Sequence, residues 1–90
     1  MTVEAEQRLL DSVPRGLFVG SEWRPAQGGR TFGVDDPATG SRLAEVADGD
    51  AEDAAAALDA AVAAAGPWAR TPPRERSDIL RRTFDAVRAR

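Results

Sequence analysis

Ninety residues with a hydrophobic fraction of 42% allow one small domain at most, and eighteen of the hydrophobic residues are alanine, which buries little area. The absence of cysteine and histidine excludes disulfides, zinc ligation by those residues, and thiol or imidazole catalysis. Net charge is −3 but unevenly spread, with −7 over residues 1–69 and +4 over residues 70–90, and every basic residue is arginine.

Residues 1–14 form a polar lead-in, where the sequence predicts a short helix over Ala5–Leu10 ended by Pro14. This stretch lacks the basic start and apolar centre of a signal peptide. No apolar run approaches the ~20 residues of a membrane span. A cytoplasmic chain with no membrane partner is the expectation. With Leu, Ile, Val and Phe at 17 of 90 residues, the core is expected to be poor and the isolated chain marginally stable.

Short strand-like runs follow. Leu17-Phe18-Val19 and Glu22-Trp23-Arg24 predict a hairpin around Gly20-Ser21, a Gly-X pair that suits a two-residue type II′ turn. Pro25 to Gly29 is a loop. Thr31–Val34 and Arg42–Val46 predict a second pair of strands joined by DDPATG, Asp35 to Gly40. In that hexapeptide Pro37 sets a turn φ, Asp36 offers its carboxylate to backbone N–H groups ahead of it, and Gly40 leaves with positive φ. Asp35 and Asp36 point to opposite faces of a strand and cannot chelate one ion, so a turn and not a metal site is expected.

Two helices complete the chain. Asp50 is the predicted N-cap of the first, with Glu52 and Asp53 favoured by the helix dipole. Leu58, Ala61, Val62 and Ala65 make a narrow apolar stripe, and Gly66-Pro67 is expected to stop the helix. For the second, Thr71 is the predicted cap and Pro72 the first helical position. Leu80, Thr83, Phe84 and Val87 form its inner stripe, with Ile79 alongside and Arg74, Arg81, Arg82 and Arg88 mostly off it. Glu75, Asp78 and Arg82 have the spacing of local ion pairs. The pattern runs to Arg90 without a cap or breaker, from which a truncated chain is expected.

Reactive groups are few. Ser12, Ser21, Ser41 and Ser77 have no imidazole or amine to activate them, and lysine and tyrosine are absent. Neither a nucleophile elbow nor a glycine-rich phosphate loop is present. No catalytic, cofactor-binding or metal-binding residue is therefore expected in the chain. The arginine-rich helix alone suggests a ligand, nucleic acid, through its phosphates. Interleaved Glu75, Asp78 and Asp85, and the scarcity of free aromatic side chains, argue against it, so no nucleic-acid partner is expected.

Taken in order and spacing, LFVGSEWR (17–24), DDPATG, the alanine-rich helix leading to Trp68, and TPPRERSDILRR resemble the N-terminal region of the aldehyde dehydrogenase superfamily over nearly the whole chain. LLDSVPRGLFVGSEWR and PPRERSDILRR look most like the succinate-semialdehyde dehydrogenases. The departures are Gly20-Ser21 where the family has Asn-Gly, and Asp35-Asp36 in the turn, with Asp36 where the family has Asn. The resemblance implies an α+β fragment, N-terminal β-hairpins followed by two α-helices, forming part of the cofactor-binding domain of an α/β fold. Residues 15–90 would be the N-terminal portion of that domain.

It also implies a mechanism: a cysteine thiohemiacetal, hydride transfer to NAD or NADP, and glutamate-assisted hydrolysis, all carried by later parts of the family's chain. No cofactor is expected to bind residues 1–90. The implied partner is the rest of the dehydrogenase chain, in a family that is homo-oligomeric. Some members hold a structural cation through backbone carbonyls at positions matching Val34 and Asp35; the other ligands would lie beyond Arg90, so no metal site is expected. The resulting expectation is an N-terminal fragment of a succinate-semialdehyde-type dehydrogenase, inactive by itself. A stand-alone protein-interaction module is the alternative.

Overall fold

A computed structural model describes residues 2–90, so Met1 of the lead-in lies outside the described residues. The element order is α1 (Val3–Ser12), β1 (Leu17–Val19), β2 (Glu22–Arg24), β3 (Thr31–Asp35), β4 (Arg42–Ala47), α2 (Ala51–Arg70) and α3 (Pro73–Arg88). The chain divides into two compact units, Met1–Ala60 and Ala61–Arg90, the boundary falling within α2.

In the first unit the lead-in helix is longer than predicted. Thr2 caps it, its hydroxyl accepting from the Ala5 N–H at 3.1 Å, and Glu4 and Glu6 sit at the positive end of the dipole. At the other end the Arg15 guanidinium donates to the Leu10 carbonyl at 3.1 Å. Such a contact over five residues is not readable from a 3.6-residue period, which explains the short prediction.

β1 and β2 pair antiparallel, with Phe18 opposite Trp23 and their rings 4.9 Å apart. Their turn is not type II′. Gly20 has φ 60 and Ser21 has φ 68, so both central residues are left-handed, the signature of a type I′ turn. The twist of two very short strands selects I′, and serine adopts a backbone region that glycine occupies freely. Ser21→Gly is therefore expected to stabilise the chain by about 1 kcal/mol. An unchanged urea midpoint for this variant would contradict the assignment.

β3 and β4 form a separate antiparallel pair, Thr31 opposite Ala47 and Val34 opposite Ala44. The register shifts between Val34 and Asp35, where Asp35 meets Arg42. Backbone bonds tie the hairpins to the segments around them: Ala47 N–H donates to Arg15 and Asp48 N–H to Arg30, both at 2.8 Å. The core is minimal. Among the described residues only Ala26 and Asp53 are buried, at 4% and 5% exposure.

In the second unit α2 runs through Gly66-Pro67 to Arg70 instead of stopping there. Pro67 has a helix-compatible φ, and Gly66 has no Cβ to collide with its ring, so the usual conflict before proline is relieved. Termination comes at Thr71, whose N–H bonds the Trp68 carbonyl at 3.1 Å and whose hydroxyl donates to the Pro67 carbonyl at 2.9 Å. Thr71 thus closes α2 and does not cap α3. Pro72 takes the N-cap position without a side-chain bond, and Pro73, not Pro72, is the first helical residue.

Candidate functional site

Among the described residues Asp53 is the one buried charged side chain. Asp50 and Asp53 form a reciprocal capping box at the start of α2: Asp53 N–H donates to Asp50 Oδ1 and Asp50 N–H to Asp53 Oδ2, each at 3.0 Å. The same carboxylate then accepts from the Gln27 N–H, at 3.2 Å to Oδ1 and 3.1 Å to Oδ2. The Arg24 guanidinium stands 3.8 Å from Oδ1. One carboxylate therefore binds the helix start to the Pro25–Gly29 loop, 26 residues earlier in the chain. The Asp50 N–H, foremost among these donors, holds the Asp53 carboxyl below its ordinary value of 3.8, with Gln27 and Arg24 acting the same way against the opposing effect of burial.

From sequence, Asp53 is only a dipole-favoured acid in a first turn. Its spacing from Asp50 signals a capping box, but no local pattern reveals the Gln27 contact. The arrangement is structural: both oxygens of the carboxylate accept backbone N–H bonds that tie the loop to the helix start.

The DDPATG connection adopts the predicted turn. Asp36 Oδ1 accepts from the Ala38 N–H at 2.8 Å, Gly40 has φ 76, and the Asp36 N–H bonds the Ser41 carbonyl at 2.8 Å. Asp35 points elsewhere, its Oδ1 taking the Arg42 Nε–H at 2.8 Å. Val34 is an interior strand residue opposite Ala44. The two aspartates do not converge, and among the described residues no three His, Cys, Asp or Glu side chains gather as metal ligands.

On α3 two of the five arginines, Arg81 and Arg88, contact side chains of their own helix. The Arg81 and Arg88 guanidiniums lie 5.4 and 5.6 Å from the Phe84 ring centre. Arg81 approaches Asp85 at 3.6 Å, so the ion pair forms there and not at the Asp78 and Arg82 positions. Thr83 returns its hydroxyl to the Ile79 carbonyl at 3.0 Å, satisfying the one polar group on the apolar stripe.

Those stripes are uncovered. Leu58 and Val62 on α2 are 64% and 65% exposed, and Leu80, Phe84 and Val87 on α3 are exposed too. In the first unit an open cleft of about 420 Å³ runs past Pro14, Trp23, Pro25, Ala26, Thr31 and Ala47, with Trp23 itself more than half exposed. Its charged lining groups are three arginines and Glu45. Such surfaces suit packing against other protein.

The sequence pattern described as the aldehyde dehydrogenase family matches residues 23–90. The chain is 40% identical over 93 residues to a phenylacetaldehyde dehydrogenase of Pseudomonas fluorescens, covering 99% of this chain and 18% of that protein. It is 35% identical over 86 residues to a hydroxyisobutyraldehyde dehydrogenase of Mycolicibacterium austroafricanum, covering 96% of this chain and 17% of the relative. Over 48 residues it is 60% identical to a succinate-semialdehyde dehydrogenase of Paenarthrobacter nicotinovorans, covering 53% of this chain and 11% of the relative. The chain thus spans less than a fifth of the length of these relatives. No solved structure matches significantly.

Proposed function

The chain belongs to the aldehyde dehydrogenase family, and on that premise we propose that it serves as the N-terminal scaffold of a longer NAD(P)-dependent dehydrogenase oxidising an aldehyde to a carboxylate. Within that reading residues 1–14 are a lead-in and residues 15–90 the first part of the cofactor-binding domain. No residue of the chain is catalytic, holds a cofactor or binds a metal. The aldehyde we favour is succinate semialdehyde, supported by the 60% identity over 48 residues.

The observation that carries the proposal is the pair of exposed stripes, Leu58 and Val62 on one helix and Leu80, Phe84 and Val87 on the other. At ~25 cal/mol per Å² these residues stabilise a fold only when another surface covers them. The family generally uses NAD(P). Thiolate chemistry has to come from other parts of such a polypeptide, because residues 1–90 contain no cysteine.

The test is to isolate from its source cells the polypeptide carrying residues 42–70, weigh it, and assay it with succinate semialdehyde and phenylacetaldehyde, each with NAD and NADP. The expected result is a mass several times 9.6 kDa and the highest kcat/KM with succinate semialdehyde. A 9.6 kDa product, or a larger one that turns over no aldehyde, overturns the proposal. The former outcome would leave a protein-interaction module, which the same exposed stripes also suit.

A further inference from the structure

Arg76 lies in the first turn of α3, and its Nε is buried from solvent with no hydrogen-bond partner among the described residues. Its own helix does not supply one. The positions three and four residues away are Pro72, Pro73, Ile79 and Leu80, all apolar, so no carboxylate on α3 has the spacing to reach it. This contrasts with Arg81, which has Asp85 one turn on. A guanidinium N–H that is removed from water and left unpaired is costly, and native structures rarely keep one without an acceptor.

Arg76 lines an open notch of about 370 Å³ together with Trp68, Pro73, Ser77 and Leu80. Residues 61–90 carry seven arginines against Glu75, Asp78 and Asp85, a net charge of +4, which favours an anionic occupant. The planar fork of arginine matches a carboxylate better than a single carbonyl. The lining residue Leu80 is exposed, and Phe84, also exposed, follows it four residues on along α3, an apolar pair that suits polypeptide.

We infer that this notch receives an aspartate or glutamate side chain from a polypeptide segment packed along α3, with Arg76 as its partner and Trp68 and Leu80 excluding water from the pair. The inference rests on the proposed scaffold role and adds to it the chemistry of one contact. Arg76 is a positioning residue that fixes the register of the covering segment and takes no part in catalysis.

A photo-crosslinking residue placed at Ser77, in the polypeptide that carries this chain in its source cells, tests it. The crosslinked peptide is sequenced by mass spectrometry for the parent, for Arg76→Gln and for Arg74→Gln. The expected attachment is within two residues of an Asp or Glu in another segment of the dehydrogenase polypeptide. Its yield should fall roughly tenfold in Arg76→Gln and stay unchanged in Arg74→Gln. Attachment to a segment without an acid, attachment to a second copy's Met1–Ala60 unit, no crosslink at all, or equal yields in the two variants each overturn the inference. Aldehyde turnover by the parent polypeptide is read separately, so failure of the scaffold reading is distinguishable from failure of this contact.

Discussion

Asp53→Ala is expected to destabilise the chain more than Asp50→Ala, and to free the Pro25–Gly29 loop from the start of α2. Asp50→Ala removes one cap acceptor and costs about 1 kcal/mol. Asp53→Ala removes the acceptor for two separated backbone N–H groups, those of Asp50 and Gln27, and leaves both without a partner. It also strands the Arg24 guanidinium beside the vacated site. Asp53→Asn keeps the shape but presents an amide NH₂ where an acceptor is needed, so it should fall between the two. Urea unfolding ranks the variants, and hydrogen exchange at the Gln27 amide localises the loss. Equal midpoints for Asp53→Ala and Asp50→Ala, or unchanged Gln27 protection, would refute the anchor role.

The same carboxylate fixes the sign of an acid effect. Its folded pKa lies below the ordinary 3.8, so the ionised form is favoured by folding. That contribution is fully present above the unfolded value and is lost as pH falls through the lower folded value. Stability should therefore decline below about pH 4. The decline should be shallower in Asp53→Asn, which has nothing to titrate at this site.

Pro67→Ala is the second large effect, and of opposite sign. Pro67 sits inside α2 and lacks the N–H that would bond the Ala63 carbonyl. Proline in a helix interior costs up to about 3 kcal/mol relative to alanine. Restoring the N–H should raise the helical signal in circular dichroism and slow amide exchange between Ala63 and Arg70. Should Pro67→Ala leave both helicity and amide exchange unchanged, the helix would have to end at Gly66, as the sequence alone suggested.

Much of the local structure was legible beforehand, because its causes are local. DDPATG carries its own turn in Pro37, the Asp36 side chain and Gly40, and each acts within five residues. The capped start of α2, the pairing of Phe18 with Trp23, and the apolar stripe on α3 follow from spacing in the same way.

The tertiary structure decided what depends on partners distant in the chain or on backbone details that composition does not encode. Gly20-Ser21 satisfies more than one turn type, and the strand twist selected the form in which serine is left-handed. Gly66-Pro67 is a stop signal in most contexts, but a glycine before the proline let the helix pass, and Thr71 closed it instead. Asp53 became the anchor of the first unit only because the Pro25–Gly29 loop folds back to it. Nothing within a turn of Asp53 in the sequence points to Gln27. Arg76, similarly, is one arginine among twelve in the sequence, and only the enclosure of its unpaired Nε marks it out.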